Sequence, residues 1–145
     1  MARLKKLSHS VYECKYHVVW LPKYRYRVMT GEIRRCVNDT VRRLCEWKKL
    51  EILEMNVQPE HLHMVLEIAP NRRVSEVIGF LKGKSAIAIF KKFTELRKKY
   101  WGMHFWSPGY CVSTVGYNEE EIRKYVRWQQ KHDQENDASQ TNVFE

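Results

Sequence analysis

The sequence lacks the features that define several common protein classes. Its four cysteines form no C-x-x-C pair and follow no regular spacing, which argues against a disulfide framework and a structural zinc site. No apolar run approaches the roughly 18 residues that a membrane helix needs. The basic start "MARLKKLSHS" is not followed by the apolar segment of a signal peptide. We therefore expect a cytoplasmic protein with reduced thiols and no membrane partner.

The chain also lacks internal repeats and a recognisable linker between domains. Its 145 residues suit one domain with a single core, and an apolar fraction of 43% argues against global disorder. We predict that this domain spans residues 1–132 and that a polar, flexible tail follows over residues 133–145.

Positive charge is what the sequence has in excess. Lysine and arginine number 26 against 17 acidic residues, which gives a formal net charge of +9. Such an excess on a small domain favours a polyanionic partner, and nucleic acid is the commonest polyanion. A moderate excess can also serve solubility, so the charge alone leaves both interpretations open.

Hydrophobic periodicity predicts the order strand, helix, strand, strand, helix, strand, helix. This order is typical of an α+β fold of the split βαβ kind, ferredoxin-like or RRM-like. It has an antiparallel sheet with helices on one face, here followed by an additional C-terminal helix. The predicted elements cover residues 8–27, 33–48, 50–58, 61–69, 74–100, 107–116 and 119–132.

Two histidines in one predicted strand are candidate metal ligands. In "QPEHLHMVLEI", His61 and His63 flank Leu62, and residues two apart on a strand point to the same face. At a separation of about 6.6 Å along the backbone, both imidazoles can reach one cation. Histidines combined with oxygen ligands would suit a catalytic divalent ion such as Mg²⁺ or Mn²⁺. Two half-buried histidines hydrogen-bonded to their neighbours are the alternative.

The last predicted helix, within "NEEEIRKYVRWQQKHDQ", carries a candidate nucleophile. Tyr125 and Gln129 are four residues apart and therefore share one helix face. Gln129 can offer an amide oxygen to a metal, and Tyr125 can attack a phosphorus atom that a cation has activated. A tyrosine that merely packs on an amphipathic helix is the alternative.

These residues resemble those of the single-tyrosine HUH transposases, the insertion-sequence-200-like family. HUH denotes histidine, a hydrophobic residue and histidine. The matching segments follow the family order and cover nearly the whole chain except the tail. They are "YHVVWLPKYR" (16–25), "VQPEHLHMVLEI" (57–68), "LKGKSA" (81–86), "FWSPGYCVSTVG" (105–116) and "IRKYVRWQ" (122–129).

The resemblance implies an enzyme that cleaves and rejoins single-stranded DNA at insertion-sequence ends. It implies that His61, His63 and Gln129 bind the divalent ion and that Tyr125 attacks the scissile phosphate to form a 5′-phosphotyrosine. This linkage conserves the energy of the phosphodiester, which agrees with the lack of a P-loop in the sequence. The implied partners are single-stranded DNA with subterminal hairpins and a second copy of the chain, whose tyrosine helix can complete the active site.

Basic and aromatic residues interleave in "KYRYR" (23–27), where a strand would place the cations on one face and the rings on the other. Such a segment can bind phosphates and stack bases, although a solvated strand end is the alternative. We interpret Trp101, Trp106 and Trp128 as core or interface residues. The predicted DNA-binding residues are Lys23, Arg25, Arg27, Arg72, Arg73, Lys82 and Lys84.

Two other functions stay open at this point. A domesticated relative of the same fold could bind nucleic acid without cutting it, although the intact His61, His63, Tyr125 and Gln129 argue against this. A metal-dependent hydrolase could use water instead of tyrosine as the nucleophile. Cleavage that survives loss of the tyrosine hydroxyl would indicate the hydrolase.

Overall fold

A computed structural model describes residues 4–100, 102 and 104–144, of which residues 138–144 are described by their backbone alone. The helices are α1 (Gly31–Trp47), α2 (Val74–Lys92) and α3 (Glu119–Phe144), with short 3-10 turns at Lys23–Arg25 and Thr94–Lys98. The strands are β1 (Lys5–Leu7), β2 (Ser10–Tyr12), β3 (Lys15–Trp20), β4 (Glu51–Gln58), β5 (His61–Glu67) and β6 (Cys111–Ser113). Among the described residues, no helix has the combined length and apolar character of a membrane span.

The main sheet has the strand order β4-β5-β3-β6, and every pair in it is antiparallel. The first and third of its strands along the chain, β3 and β5, therefore lie in the centre, as the split βαβ arrangement requires. Strands β1 and β2 form a separate hairpin. The predicted α+β class with an antiparallel sheet is confirmed.

The two faces of the sheet bury different sets of residues because successive side chains of a strand point to opposite sides. On one face, large apolar residues such as Trp20, Leu62 and Met64 are fully buried in the main core, to which α1 and α2 also contribute. On the other face, Val19 and Leu21 form a second, smaller cluster with Val126 of α3. The C-terminal helix thus covers the face opposite to the other two helices.

The predicted first strand, residues 8–27, is wrong in its extent. Strand β3 ends at Trp20, and the 3-10 turn follows with left-handed backbone angles at Tyr24 (φ 61°) and Arg25 (φ 56°). Long-range contacts hold this turn, because the amide of Lys23 donates to the carbonyl of Phe105 and that of Tyr24 donates to Asp133. Lys23, Arg25 and Arg27 therefore do not line one face of a strand.

Two predicted helix ends also differ from the structure. Helix α2 ends at Lys92 rather than near residue 100, because Phe93 leaves the helical conformation and Tyr100 is buried against Phe90. Helix α3 does not end at His132 but continues to Phe144. Asp133, the first residue of the predicted tail, is fully buried within this continued helix.

The start of α3 is as predicted. The side-chain oxygen of Asn118 accepts a hydrogen bond of 2.8 Å from the amide of Glu121, which satisfies one free donor of the first turn. Among the tryptophans, Trp106 is confirmed as a core residue, since it is buried and its indole donates to Ser85. Trp128 is exposed, so an interface role for it stays a prediction, and Trp101 lies outside the described residues.

Candidate active site

His61 and His63 occupy the face of β5 that α3 covers. Leu62 between them is fully buried in the main core, so the two imidazoles point together to the opposite side, as predicted. His63 lies opposite Val19 of β3, which belongs to the cluster under α3. The histidines are therefore on the same side of the sheet as the tyrosine helix.

Both histidines present ring nitrogens without a hydrogen bond, although Nδ1 of His61 lies 3.8 Å from a carboxylate oxygen of Glu60. Within the part of the chain that the structure describes, Nδ1 of His61 and Nε2 of His63 are buried and accept or donate no hydrogen bond. Burial lowers the pKa of both side chains from the ordinary value of 6.5, and it outweighs the opposing attraction of Glu60 for His61 and of Glu54 for His63. The rings are thus neutral at neutral pH, which is the form that binds a metal ion.

A third histidine, His17 of β3, lies beside them and was missed in the sequence. Its ring is stacked on that of His63 at 5.9 Å between centroids, and the ring of Tyr117 closes the group at 6.2 Å from His17 and 6.3 Å from His63. The alternation in "YHVVW" places His17 on the same side as Val19, so pairing of this strand with β5 could have indicated it.

Tyr125 projects from α3 toward the same face of the sheet. It is half-buried and packs on the cluster of Val19, Leu21 and Val126. Its hydroxyl donates to Oε1 of Gln129, one turn further along the helix, at 3.3 Å. Burial raises the pKa of Tyr125 above its ordinary value of 10, so its hydroxyl is protonated at neutral pH.

Gln129 is itself buried, with 2% of its surface exposed. Its amide nitrogen donates to Oδ1 of Asp133 at 3.2 Å, while its amide oxygen faces the hydroxyl of Tyr125. The predicted pair Tyr125 and Gln129 is therefore in direct contact.

The site offers donors for a divalent ion, but too few to surround one. Among the described residues, no three side chains of histidine, cysteine, aspartate or glutamate lie close enough to hold a metal together. The buried ring nitrogens of His61 and His63 and the amide oxygen of Gln129 are the suitable donors. An ion held by two imidazoles and one amide keeps open positions for substrate oxygens.

The sequence as a whole matches the family model for IS200-like transposases over residues 10–129. This range includes both histidines, the tyrosine and the glutamine. The chain belongs to the IS200-like transposase family. The resemblance drawn from its motifs is thereby confirmed.

Other transposases are similar to this family member over most of their length. The transposase of insertion sequence IS200 from Salmonella typhimurium is 45% identical over 129 residues, which cover 89% of this chain and 85% of the relative. The ISDra2 transposase TnpA from Deinococcus radiodurans is 36% identical over 133 residues, with coverage of 91% and 94%. A crystal structure of a Deinococcus radiodurans R1 protein named as a transposase has a TM-score of 0.80 and 32% identity, and covers 86% of this chain and 97% of that one.

The predicted DNA-binding residues of this transposase differ in how accessible they are. Lys84, Arg72 and Arg73 are exposed around α2 and are accessible to a ligand. Arg27 is exposed but pairs with Glu60, and Arg25 is half-buried in the 3-10 turn.

Lys23 and Lys82 have internal partners. Lys23 is 9% exposed and lies 4.0 Å from Asp137. Lys82 donates to the carbonyls of Ser107 and Gly109 at 2.7 and 2.5 Å, and burial lowers its pKa to about 8. Both lysines therefore have hydrogen-bond or ion-pair partners within the fold, and DNA contact by either stays a prediction.

Proposed function

We propose that this chain is a DNA transposase that cleaves and rejoins single-stranded DNA at the ends of an insertion sequence, with Tyr125 as its nucleophile. The observation that carries the proposal is the contact between Tyr125 and Gln129 on the helix that covers the His61 and His63 face of the sheet. A nucleophile and candidate metal donors are thereby gathered on one side of the domain.

His61, His63 and Gln129 would hold the divalent ion, Mg²⁺ or Mn²⁺. When bound, such an ion neutralises charge on the phosphate and makes the phosphorus a better electrophile. Neutral imidazoles and an amide oxygen add no charge of their own, so the ion would keep its full positive charge for the phosphate. The protein's contribution is to keep the two rings unprotonated by burial and to aim the amide oxygen.

Tyr125 would carry the covalent step. Its oxygen forms a bond to phosphorus and the bond between phosphorus and the 3′ oxygen breaks, which leaves a 5′-phosphotyrosine and a free 3′-OH once that oxygen takes up a proton. The phenol releases its own proton to solvent in the same step, so the displacement consumes no net proton. Because burial favours the protonated phenol in the free protein, substrate binding must lower this barrier.

Rejoining is the reverse displacement by a different strand end. A 3′-OH attacks the phosphotyrosine, the new phosphodiester forms, and the tyrosine oxygen takes back a proton. One phosphodiester is exchanged for another through the tyrosine ester, so the reaction needs no nucleoside triphosphate.

We further propose single-stranded DNA with subterminal hairpins as the substrate and a homodimer as the working form. The net charge of +9 supports a polyanionic ligand, and Arg72, Arg73 and Lys84 supply exposed cations for its phosphates. A helix that covers the active face from the C-terminal end of the chain is also suited to exchange between two copies.

A denaturing gel tests the covalent chemistry. The protein is incubated with labelled single-stranded DNA that carries the palindromes flanking its gene, with Mg²⁺, with Mn²⁺ or with EDTA. We expect a slowly migrating covalent adduct with either ion and none with EDTA. Tyr125→Phe, which removes one oxygen, should abolish the adduct.

Tyr12→Phe is the matched control, because Tyr12 lies in the separate β1–β2 hairpin and the change removes the same atom. It should form the adduct at the wild-type rate. Binding without any cleavage would favour the non-catalytic module, and cleavage that persists in Tyr125→Phe would favour the hydrolase. Either result would contradict the proposal.

A further inference from the structure

Asp133 is a buried carboxylate that the proposed chemistry does not use. It is fully buried, and donors from three separate segments surround it. The amide of Tyr24 donates to Oδ2 at 3.2 Å, the hydroxyl of Ser107 donates to the same oxygen, and Nε2 of Gln129 donates to Oδ1 at 3.2 Å. Burial of an ionised carboxylate is costly unless it is paired or hydrogen-bonded, and these bonds meet that need.

The bond to Gln129 determines which end of its amide faces Tyr125. A carboxylate only accepts hydrogen bonds, whereas an amide has a donor end and an acceptor end. With Nε2 directed to Asp133, Oε1 must face the Tyr125 hydroxyl. The flipped amide would set its oxygen against the carboxylate, which is repulsive. Spacing of four residues keeps the three side chains on one helix face.

We propose that Asp133 is a positioning residue that fixes the amide of Gln129 with its oxygen toward the active face. Its effect on the metal rests on the proposed function of Gln129 as a ligand, whereas its effect on the amide orientation does not. Partners that orient a metal ligand typically contribute 10–100-fold to metal affinity, so we expect an effect of about that size.

Asp133→Asn is the direct test, because asparagine has one oxygen for donors on two sides. That oxygen can accept the hydrogen bond from Gln129 or those from Tyr24 and Ser107, but not both sets. We expect the dissociation constant for Mn²⁺, measured by calorimetry on the metal-free protein, to rise about 10–100-fold. Glu135→Gln makes the same change of charge at an exposed position of α3 and should stay within about twofold of wild type.

A double-mutant cycle with Gln129→Ala separates positioning from simple electrostatics. If Asp133 acts through the amide, Asp133→Asn should have no further effect on Mn²⁺ affinity once Gln129 is gone. An equal loss in both backgrounds would overturn the proposal, since only a through-space effect of charge would then remain.

The side-chain amide signals of Gln129 provide a readout that needs no metal. In nitrogen–proton correlation spectra of the metal-free protein, Asp133→Asn should shift these signals and Glu135→Gln should not. If Asp133→Asn does not fold, Asp133→Glu keeps the charge but displaces the acceptor, and the same shift is expected.

The spectra also distinguish the two proposals. If the wild-type protein binds no Mn²⁺, the proposed metal chemistry fails, while the amide signals still decide whether Asp133 orients Gln129. If the Gln129 amide signals of Asp133→Asn match those of wild type and its Mn²⁺ affinity is unchanged, Asp133 does not orient Gln129.

Discussion

The two faces of the central strands β3 and β5 carry different kinds of side chain. Alternate residues of β3 and β5 point to one side, where Trp20, Leu62 and Met64 are fully buried in the main core. The residues between them point to the other side, where His17, His61 and His63 leave buried ring nitrogens without a hydrogen bond to the described residues. One face therefore carries the main core, and the other combines a smaller apolar cluster with the polar groups that the proposed chemistry would use.

The largest difference between the faces should appear in activity. His63→Ala removes a proposed ligand, and we expect a loss of about 10²–10³-fold in the rate of DNA cleavage at saturating Mg²⁺. The same change should alter the free energy of unfolding by less than about 1 kcal/mol, because the ring is half-buried and its Nε2 has no partner to leave unsatisfied. Cleavage kinetics and urea denaturation measure the two effects.

Leu62→Ala, one residue away from His63, should reduce stability strongly and activity little. Its side chain is fully buried in the main core, so its loss creates a cavity and should cost about 2–5 kcal/mol of unfolding free energy. The fraction that stays folded should cleave DNA at a rate close to that of wild type. A comparable loss of activity in both variants would mean that the faces are not functionally distinct.

Lys82 connects the two regions, since it extends from α2 to the loop at Ser107 and Gly109 and is attracted by Asp133 of α3. Burial lowers its pKa to about 8 from 10.5, so the unfolded chain binds more protons than the folded chain between these values. The contribution of Lys82 to stability should therefore rise as the pH increases through this window.

Subtracting the unfolding free energy of Lys82→Met from that of wild type isolates this contribution, because the pH dependence of all other groups cancels. We expect the unfolding free energy of wild type, relative to that of the variant, to increase by about 2 kcal/mol between about pH 7.5 and about pH 10. A difference that does not change with pH would show that the amine is not buried.

The smallest effect should be confined to the helix that carries Tyr125. Asn118→Ala removes the hydrogen bond to the amide of Glu121, which should cost about 1 kcal/mol. Hydrogen exchange should become faster in the first turns of α3 and stay unchanged in α1. Equal acceleration in both helices would argue that α3 has no separate stability.

Local patterns predicted the elements whose structure depends on neighbours in the chain. The alternation around Leu62 correctly placed His61 and His63 on one face, and Asn118 with Glu121 marked the start of α3. These features depend on strand geometry and helix capping, which act over a few residues.

Contacts between distant segments account for the errors. The turn at Tyr24 and Arg25 has left-handed angles because Asp133 and Phe105 hold it, and no local pattern indicates those partners. No local pattern indicates that Lys82 donates to the carbonyls of Ser107 and Gly109, and its contact with DNA stays a prediction.

Identification of the tyrosine that becomes linked to DNA decides whether Tyr125 is the nucleophile. The chain has eight tyrosines, and Tyr117 is a second phenol beside His63. Trypsin separates Tyr117 from Tyr125 because Arg123 and Lys124 lie between them, so mass spectrometry of a digested adduct can assign the linkage. We expect the nucleotide mass on Tyr125 alone. A nucleotide on Tyr117, or cleaved DNA without any linked peptide, would show that Tyr125 is not the nucleophile.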